Sequence, residues 1–137
     1  MFGLECVILG DSIAVGTIQA RPTAGCIEMA KGGINSRNWN IRYGDSPALD
    51  MSYNYAIISL GSNDLGIDTR KELDSIRSKV QAKRVYWVLP AIKPAVQEIV
   101  RETARRNGDT VLEIRGLSKD GVHPTGQGYK DIFERVK

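Results

Sequence analysis

The run Tyr55-Ala56-Ile57-Ile58-Ser59-Leu60 is apolar at successive positions and broken only by Ser59. A strand with one wet face alternates apolar and polar residues. This run does not alternate, so it predicts a central strand covered on both faces. Such strands belong to parallel sheets, because parallel neighbours need a crossover and the crossover helix lies on a face. Four further strand-like runs at 5–9, 26–30, 84–89 and 110–114 fit the same sheet.

Helix-like stretches fill the gaps. The first, 13–19, is closed by Arg21-Pro22, since proline disfavours helix at the residue before it. A weaker stretch at 36–41 runs into a polar turn at 43–47. Thr69, with Glu72 three residues on, has the spacing of a capping box. Leu73, Ile76 and Val80 then follow at steps of three and four. Pro94 fits a first helical turn. Val96, Ile99, Val100 and Thr103 form the inner stripe of that helix, and Asn107-Gly108 stops it. A loop at 115–124 leads to a last helix with Tyr129, Ile132, Phe133 and Val136 on one face.

Strands alternating with helices predict an α/β protein. Right-handed crossovers leave few arrangements of five such units. The expected fold is a three-layer α/β/α sandwich around a flavodoxin-like five-stranded parallel sheet of order 2-1-3-4-5. Its crevice lies at the carboxyl ends of strands one and three. A length of 137 residues predicts one domain, 1–137.

Composition narrows the function. The net charge of +3 is spread over scattered basic residues, without the dense basic run and interleaved aromatics of a nucleic-acid binder. No apolar run approaches the ~18–20 residues of a membrane span. The first strand begins within a few residues of Met1, which leaves no visible secretory signal and predicts a cytoplasmic protein. Cys6 and Cys26 lie in apolar runs without metal spacing, so reduced, buried thiols are expected, with a disulfide between neighbouring strands as the alternative. The single histidine disfavours a His-based metal site, and no carboxylate pair suits glycosidase chemistry. No cofactor is expected.

The strand ends carry the chemistry. Strand one ends in Gly10-Asp11-Ser12, strand two in Gly32-Gly33, and strand three in Gly61-Ser62-Asn63-Asp64. The loop after strand five carries Asp120-Gly121-Val122-His123-Pro124. In a parallel sheet these ends share one edge. A serine hydroxyl is a weak nucleophile unless a base takes its proton, and a carboxylate must hold that base in the right tautomer. Ser12, His123 and Asp120 supply those groups. Amide donors must face the oxygen that becomes negative. The backbone N–H groups of Ser12 and Gly33 and the side-chain amide of Asn63 are the candidates, Gly33 being preferred to Gly32 because it leads directly into Ile34-Asn35-Ser36. Asp11 and Asp64 are expected to brace their loops. Trp39 and Trp87 are expected in the core, although Arg37, Trp39 and Tyr43 could also line a rim and stack on a sugar.

These blocks, in this order and across nearly the whole chain, resemble the SGNH (GDSL-type) hydrolases. The resemblance rests on Gly10-Asp11-Ser12, Gly33, Gly61-Ser62-Asn63-Asp64 and Asp120-Gly121-Val122-His123. Isoleucine stands at position 13, where the family name implies leucine. The resemblance implies Ser12 as nucleophile, His123 as base, Asp120 as its orienting acid, and Ser12, Gly33 and Asn63 as oxyanion donors. It implies a metal-free esterase or O-deacylase. Little length remains for substrate-shaping insertions, so an open site and short acyl groups are expected, acetyl above all, with a carbohydrate as the candidate acceptor. A thioesterase or lysophospholipase is the alternative within the class. A flavodoxin-like module that binds phosphate or flavin without catalysis is the alternative outside it.

Overall fold

The computed structural model describes residues 4–21, 25–65 and 68–136. Five parallel strands form one sheet: β1 (Leu4–Gly10), β2 (Ile27–Ala30), β3 (Ser52–Ser59), β4 (Gln81–Leu89) and β5 (Thr110–Glu113). Their order is β2-β1-β3-β4-β5, as the sequence predicts. The helices are α1 (Ser12–Ala20), α2 (Ser36–Tyr43), α3 (Thr69–Lys79), α4 (Pro94–Asn107) and α5 (Gly126–Glu134). Arg21 caps the C-terminus of α1, and Pro22 lies outside the described residues.

The continuous apolar runs are explained by two cores, one on each face of the sheet. Successive side chains of a strand point to opposite faces. Val7, Leu9, Ala56, Ile58, Val85 and Trp87 therefore pack with Trp39, Leu73, Ile76, Val96 and Val100 of α2, α3 and α4. Cys6, Ile8, Ile57, Tyr86 and Val88 pack on the other face with Ile13 and Ala14 of α1 and Ile132 and Phe133 of α5. Trp39 and Trp87 are fully buried. Their indole N–H groups donate to the Met29 carbonyl at 2.8 Å and to Asp109 at 2.9 Å, which offsets the cost of burying a polar atom.

Three sequence expectations are corrected. β3 and β4 start earlier than their apolar runs, because the residues ahead of those runs pair with each other, Ser52 with Gln81 and Tyr53 with Ala82. The polar turn after α2 is present at Gly44-Asp45, and Pro47–Asp50 follows it as a short 3-10 helix, with the Ser46 hydroxyl accepting from the Ala48 N–H. α3 begins at Thr69, but without a capping box: the Thr69 hydroxyl donates to Asp64 at 2.8 Å instead.

The third correction is chemical. Cys6 and Cys26 are not free thiols but a disulfide, with their Cα atoms 4.5 Å apart. β1 pairs with β2 from Val7–Ile27 onward, so the two cysteines face each other one step before the ladder begins. The bridge closes a loop with a sequence separation of 20, which confines the unfolded chain by about 3 kcal/mol. Denaturant titration with and without a strong reductant should differ by about that much. Identical midpoints would show that the crosslink adds nothing.

Candidate active site

The end of β1 is fastened to both of its neighbours. Gly10 pairs with Ala30 on one side and Ser59 on the other. The Asp11 N–H donates to the Ser59 carbonyl at 2.9 Å, and the Lys31 N–H donates to the Gly10 carbonyl at 3.0 Å. A Cβ on Gly10 would lie 1.9 Å from that Ser59 oxygen, so only glycine allows the strands to close here. Ser12 follows as the first residue of α1. Its N–H has no carbonyl within its own helix to bond, as is general for first-turn amides.

Asp11 is the N-cap of α1, and its Oδ1 accepts from the Ile13 N–H at 3.0 Å. The carboxyl is fully buried, and its Oδ2 has no hydrogen-bond partner among the described residues. Burial pushes its pKa up to about 6, against the pull of the Ile13 and Ala14 amides and the Ser59 hydroxyl. Folding thus favours the protonated form. Stability from this group is fully present below the unfolded value of 3.8 and is lost as pH rises through about 6. Asp11→Asn removes the charge and keeps the capping oxygen. The stability difference between variant and parent should shift by up to about 3 kcal/mol in the variant's favour between pH 4 and pH 8. A difference that stays constant with pH would contradict the burial argument.

At the other end of the chain a tight loop carries the acid and the imidazole. The Ser118 N–H donates to the His123 carbonyl at 2.8 Å, and Leu117 bridges Pro124. Asp120 is the hub of this loop. Its Oδ1 accepts from the Ser118 hydroxyl at 2.8 Å, the Val122 N–H at 2.8 Å and the His123 N–H at 2.9 Å. Its Oδ2 lies 2.7 Å from His123 Nδ1. The His123 backbone amide, then its ring, then Val122 and Ser118 hold the Asp120 carboxyl well below the usual carboxylate range. An ionised carboxylate only accepts, so Nδ1 carries the ring proton and Nε2 is left with its lone pair. Nε2 lies 2.8 Å from Ser12 Oγ, across 111 positions of sequence. The His123 and Asp120 side chains remain 41% and 50% exposed, so solvent reaches this hydroxyl–imidazole–carboxylate chain directly.

The other candidates lie around Ser12. Gly32 and Gly33 form the turn after β2, closed by Ile34 N–H donating to the Lys31 carbonyl at 3.3 Å. Gly33 has φ +77° and open space where a side chain would stand. A Cβ on Gly32 would come within 3.9 Å of Ser12 Cβ, so this turn abuts the serine. One amide N–H of Asn63 donates to the Ile34 carbonyl at 3.0 Å, which fixes the amide plane and leaves its second N–H available. Asp64 braces its loop as expected, accepting from the Ser36 N–H at 2.9 Å and from Thr69. The aromatic rim is corrected: Trp39 is buried, and Tyr43 stacks on it at 5.4 Å and donates to the Ala30 carbonyl. Of that trio only Arg37 is exposed.

Two residues near the site were not singled out from the sequence. Ser118 holds Asp120, and the Ser-x-Asp spacing is its only local signal. Lys93 adopts φ +64°, rare for a side-chain-bearing residue, and its ammonium donates to the Asp64 carbonyl at 2.6 Å. It ties the loop after β4 to the Asn63-Asp64 turn. No group of three His, Cys, Asp or Glu among the described residues is placed to hold a metal ion. No helix among them is long and apolar enough to cross a membrane.

A parallel α/β sandwich with serine, imidazole and carboxylate in contact at its carboxyl edge has the architecture of a serine hydrolase. No protein-family model and no curated protein matches the chain. Solved structures do. A GDSL-like lipase from Bacteroides thetaiotaomicron is 25% identical, with a TM-score of 0.65 over 96% of this chain and 84% of that one. A member of the lipolytic G-D-S-L family from Veillonella parvula is 16% identical, with a TM-score of 0.63 over 96% and 99% of the two chains. The C-terminal catalytic domain of peptidoglycan O-acetyltransferase A from Streptococcus pneumoniae is 15% identical, with a TM-score of 0.62 over 98% and 92%. The last two show the shared fold. The first, at 25% identity, places the chain with the GDSL/SGNH hydrolase superfamily and supports an ester hydrolase activity in general.

Proposed function

We propose that the chain is a serine esterase or O-deacylase that removes short acyl groups, acetyl in the first place, through an acyl-enzyme. Ser12 Oγ attacks the ester carbonyl carbon while its proton passes to His123 Nε2. Asp120 holds the imidazole in the accepting tautomer and stabilises the imidazolium that forms. The carbonyl oxygen becomes negative and takes hydrogen bonds from the N–H groups of Ser12 and Gly33 and the free amide N–H of Asn63. Collapse of the tetrahedral intermediate breaks the bond to the alcohol oxygen, which receives the proton from His123. Water, deprotonated by the same imidazole, then releases the acid and regenerates Ser12.

The observation that carries this reading is the 2.8 Å contact between Ser12 Oγ and His123 Nε2. The preference for short acyl groups rests on the exposure of the imidazole and carboxylate, which leaves the reacting centre open to solvent. A carbohydrate is proposed as the alcohol part, held without an aromatic platform among the described residues of the rim. The Cys6–Cys26 crosslink favours an oxidising compartment over the cytoplasm.

The test is a panel of acetylated sugars and aryl esters of increasing acyl length, combined with labelling by a fluorophosphonate. Turnover that is greatest for acetyl, with labelling of Ser12, supports the reading. Turnover that rises with chain length favours a lysophospholipase, and a preference for thioesters favours a thioesterase. Absence of both labelling and turnover leaves a binding module.

A further inference from the structure

The cations of this surface fall into two groups. Arg77, Arg101 and Arg106 close on carboxylates at 2.7–2.8 Å. Lys31 and Arg42 have no carboxylate partner among the described residues. Both line one shallow cavity of about 320 Å³, together with Gly33, Asn38 and Ile41. No acidic residue lines it. Its volume is at the lower end of the range for small-ligand sites.

Position gives this cavity its meaning. Gly32, in its wall, is the residue whose Cβ would come within 3.9 Å of Ser12 Cβ, so the cavity opens beside the serine. Gly33, also in the wall, presents no side chain to obstruct the way. Arg42 lies over the Tyr43 ring at 5.5 Å, which steadies the guanidinium at the cavity margin. Ile41 is 72% exposed and offers an apolar surface beside the two cations. The neighbouring cavity past Asn35 is acidic on balance, with Asp64, Asp68 and Glu72 against Arg37 in its lining. A negative group drawn towards the site is therefore directed to one flank.

We propose that the Lys31–Arg42 cavity is a subsite for an anionic group, a carboxylate or a phosphate, on the alcohol part of the ester. This rests on the short-acyl hydrolase reading, because with a short acyl group the alcohol part is what remains of the ester to meet these cations. Two unpaired cations with no acid among them attract an anion, and a guanidinium fits carboxylate and phosphate oxygens in pairs. Ile41 covers the carbon skeleton that links the anion to the ester. Lys31 and Arg42 act as specificity residues through substrate binding.

The experiment compares three substrates: a mono-acetylated methyl glucoside, its uronic-acid counterpart and its phosphorylated counterpart. For the parent enzyme kcat/KM should favour the anionic esters over the neutral one by about tenfold, mainly through KM. The carboxylate and phosphate arms identify which anion is preferred. Raising the salt concentration should shrink the ratio. In Lys31→Ala/Arg42→Ala the ratio should fall to about one, and Lys31→Arg should keep it. Equal rates on all three esters in the parent overturn the subsite while leaving the hydrolase reading intact. So does a ratio that survives in the double variant. Turnover of no ester, with Ser12 unlabelled by a fluorophosphonate, overturns both.

Discussion

Ser12→Ala is expected to lower kcat for ester hydrolysis by about 10⁶, the scale seen when a serine hydrolase loses its nucleophile. The substitution removes one oxygen. It leaves the backbone N–H of residue 12 and the proposed oxyanion donors at Gly33 and Asn63 in place. It also spares the fold, because Asp11 and not Ser12 caps α1. The variant should therefore unfold close to the parent's midpoint, bind substrate, and fail at bond formation. Fluorophosphonate labelling should vanish with the activity. A variant within tenfold of the parent would mean that another nucleophile, or water activated directly by His123, does the chemistry.

Removing the Asn63 amide should produce the next largest effect. Asn63→Ala is expected to lower kcat by 10²–10³, about 2.7–4 kcal/mol, with little change in KM. The reason is timing: in the proposed reaction the Asn63 donor meets the developing negative charge only in the transition state, so its loss is felt there and not in the bound substrate. Asn63→Asp should be worse still, since it keeps the size and places a carboxylate beside the developing oxyanion. Steady-state kinetics on an aryl acetate separates the cases. A raised KM with kcat retained would reassign Asn63 to ground-state binding.

How far the sequence anticipates the structure depends on the range over which each feature is determined. The sheet order follows from apolar runs long enough to need cover on both faces, and from the handedness of crossovers. Asp11 and Asp64 could be read as braces because short acids beside strand ends seek nearby amides. The disulfide is only the lesser of two alternatives in the sequence. It depends on the register between β1 and β2, which sets Cys6 opposite Cys26 and is not written in either run alone. The early starts of β3 and β4 escaped for a related reason, since Ser52 and Gln81 are extended by pairing with each other and not by burial. Thr69 carries a valid capping pattern, but its hydroxyl is claimed by Asp64, five residues earlier, which is already bound to Ser36. Trp39 was legible as a core residue, whereas its occupation of the place where a rim platform was sought became visible only with Met29 above it.

The two rims of the sheet are built alike and secured differently. β2 and β5 are both outermost and only four residues long. The first is stitched covalently to the strand beside it, whereas the second is held by weak forces alone. Thermal fraying should then travel inward from the β5 side. The rim that frames the reacting serine is the last to loosen, so the pocket outlasts the far border of the molecule as it warms.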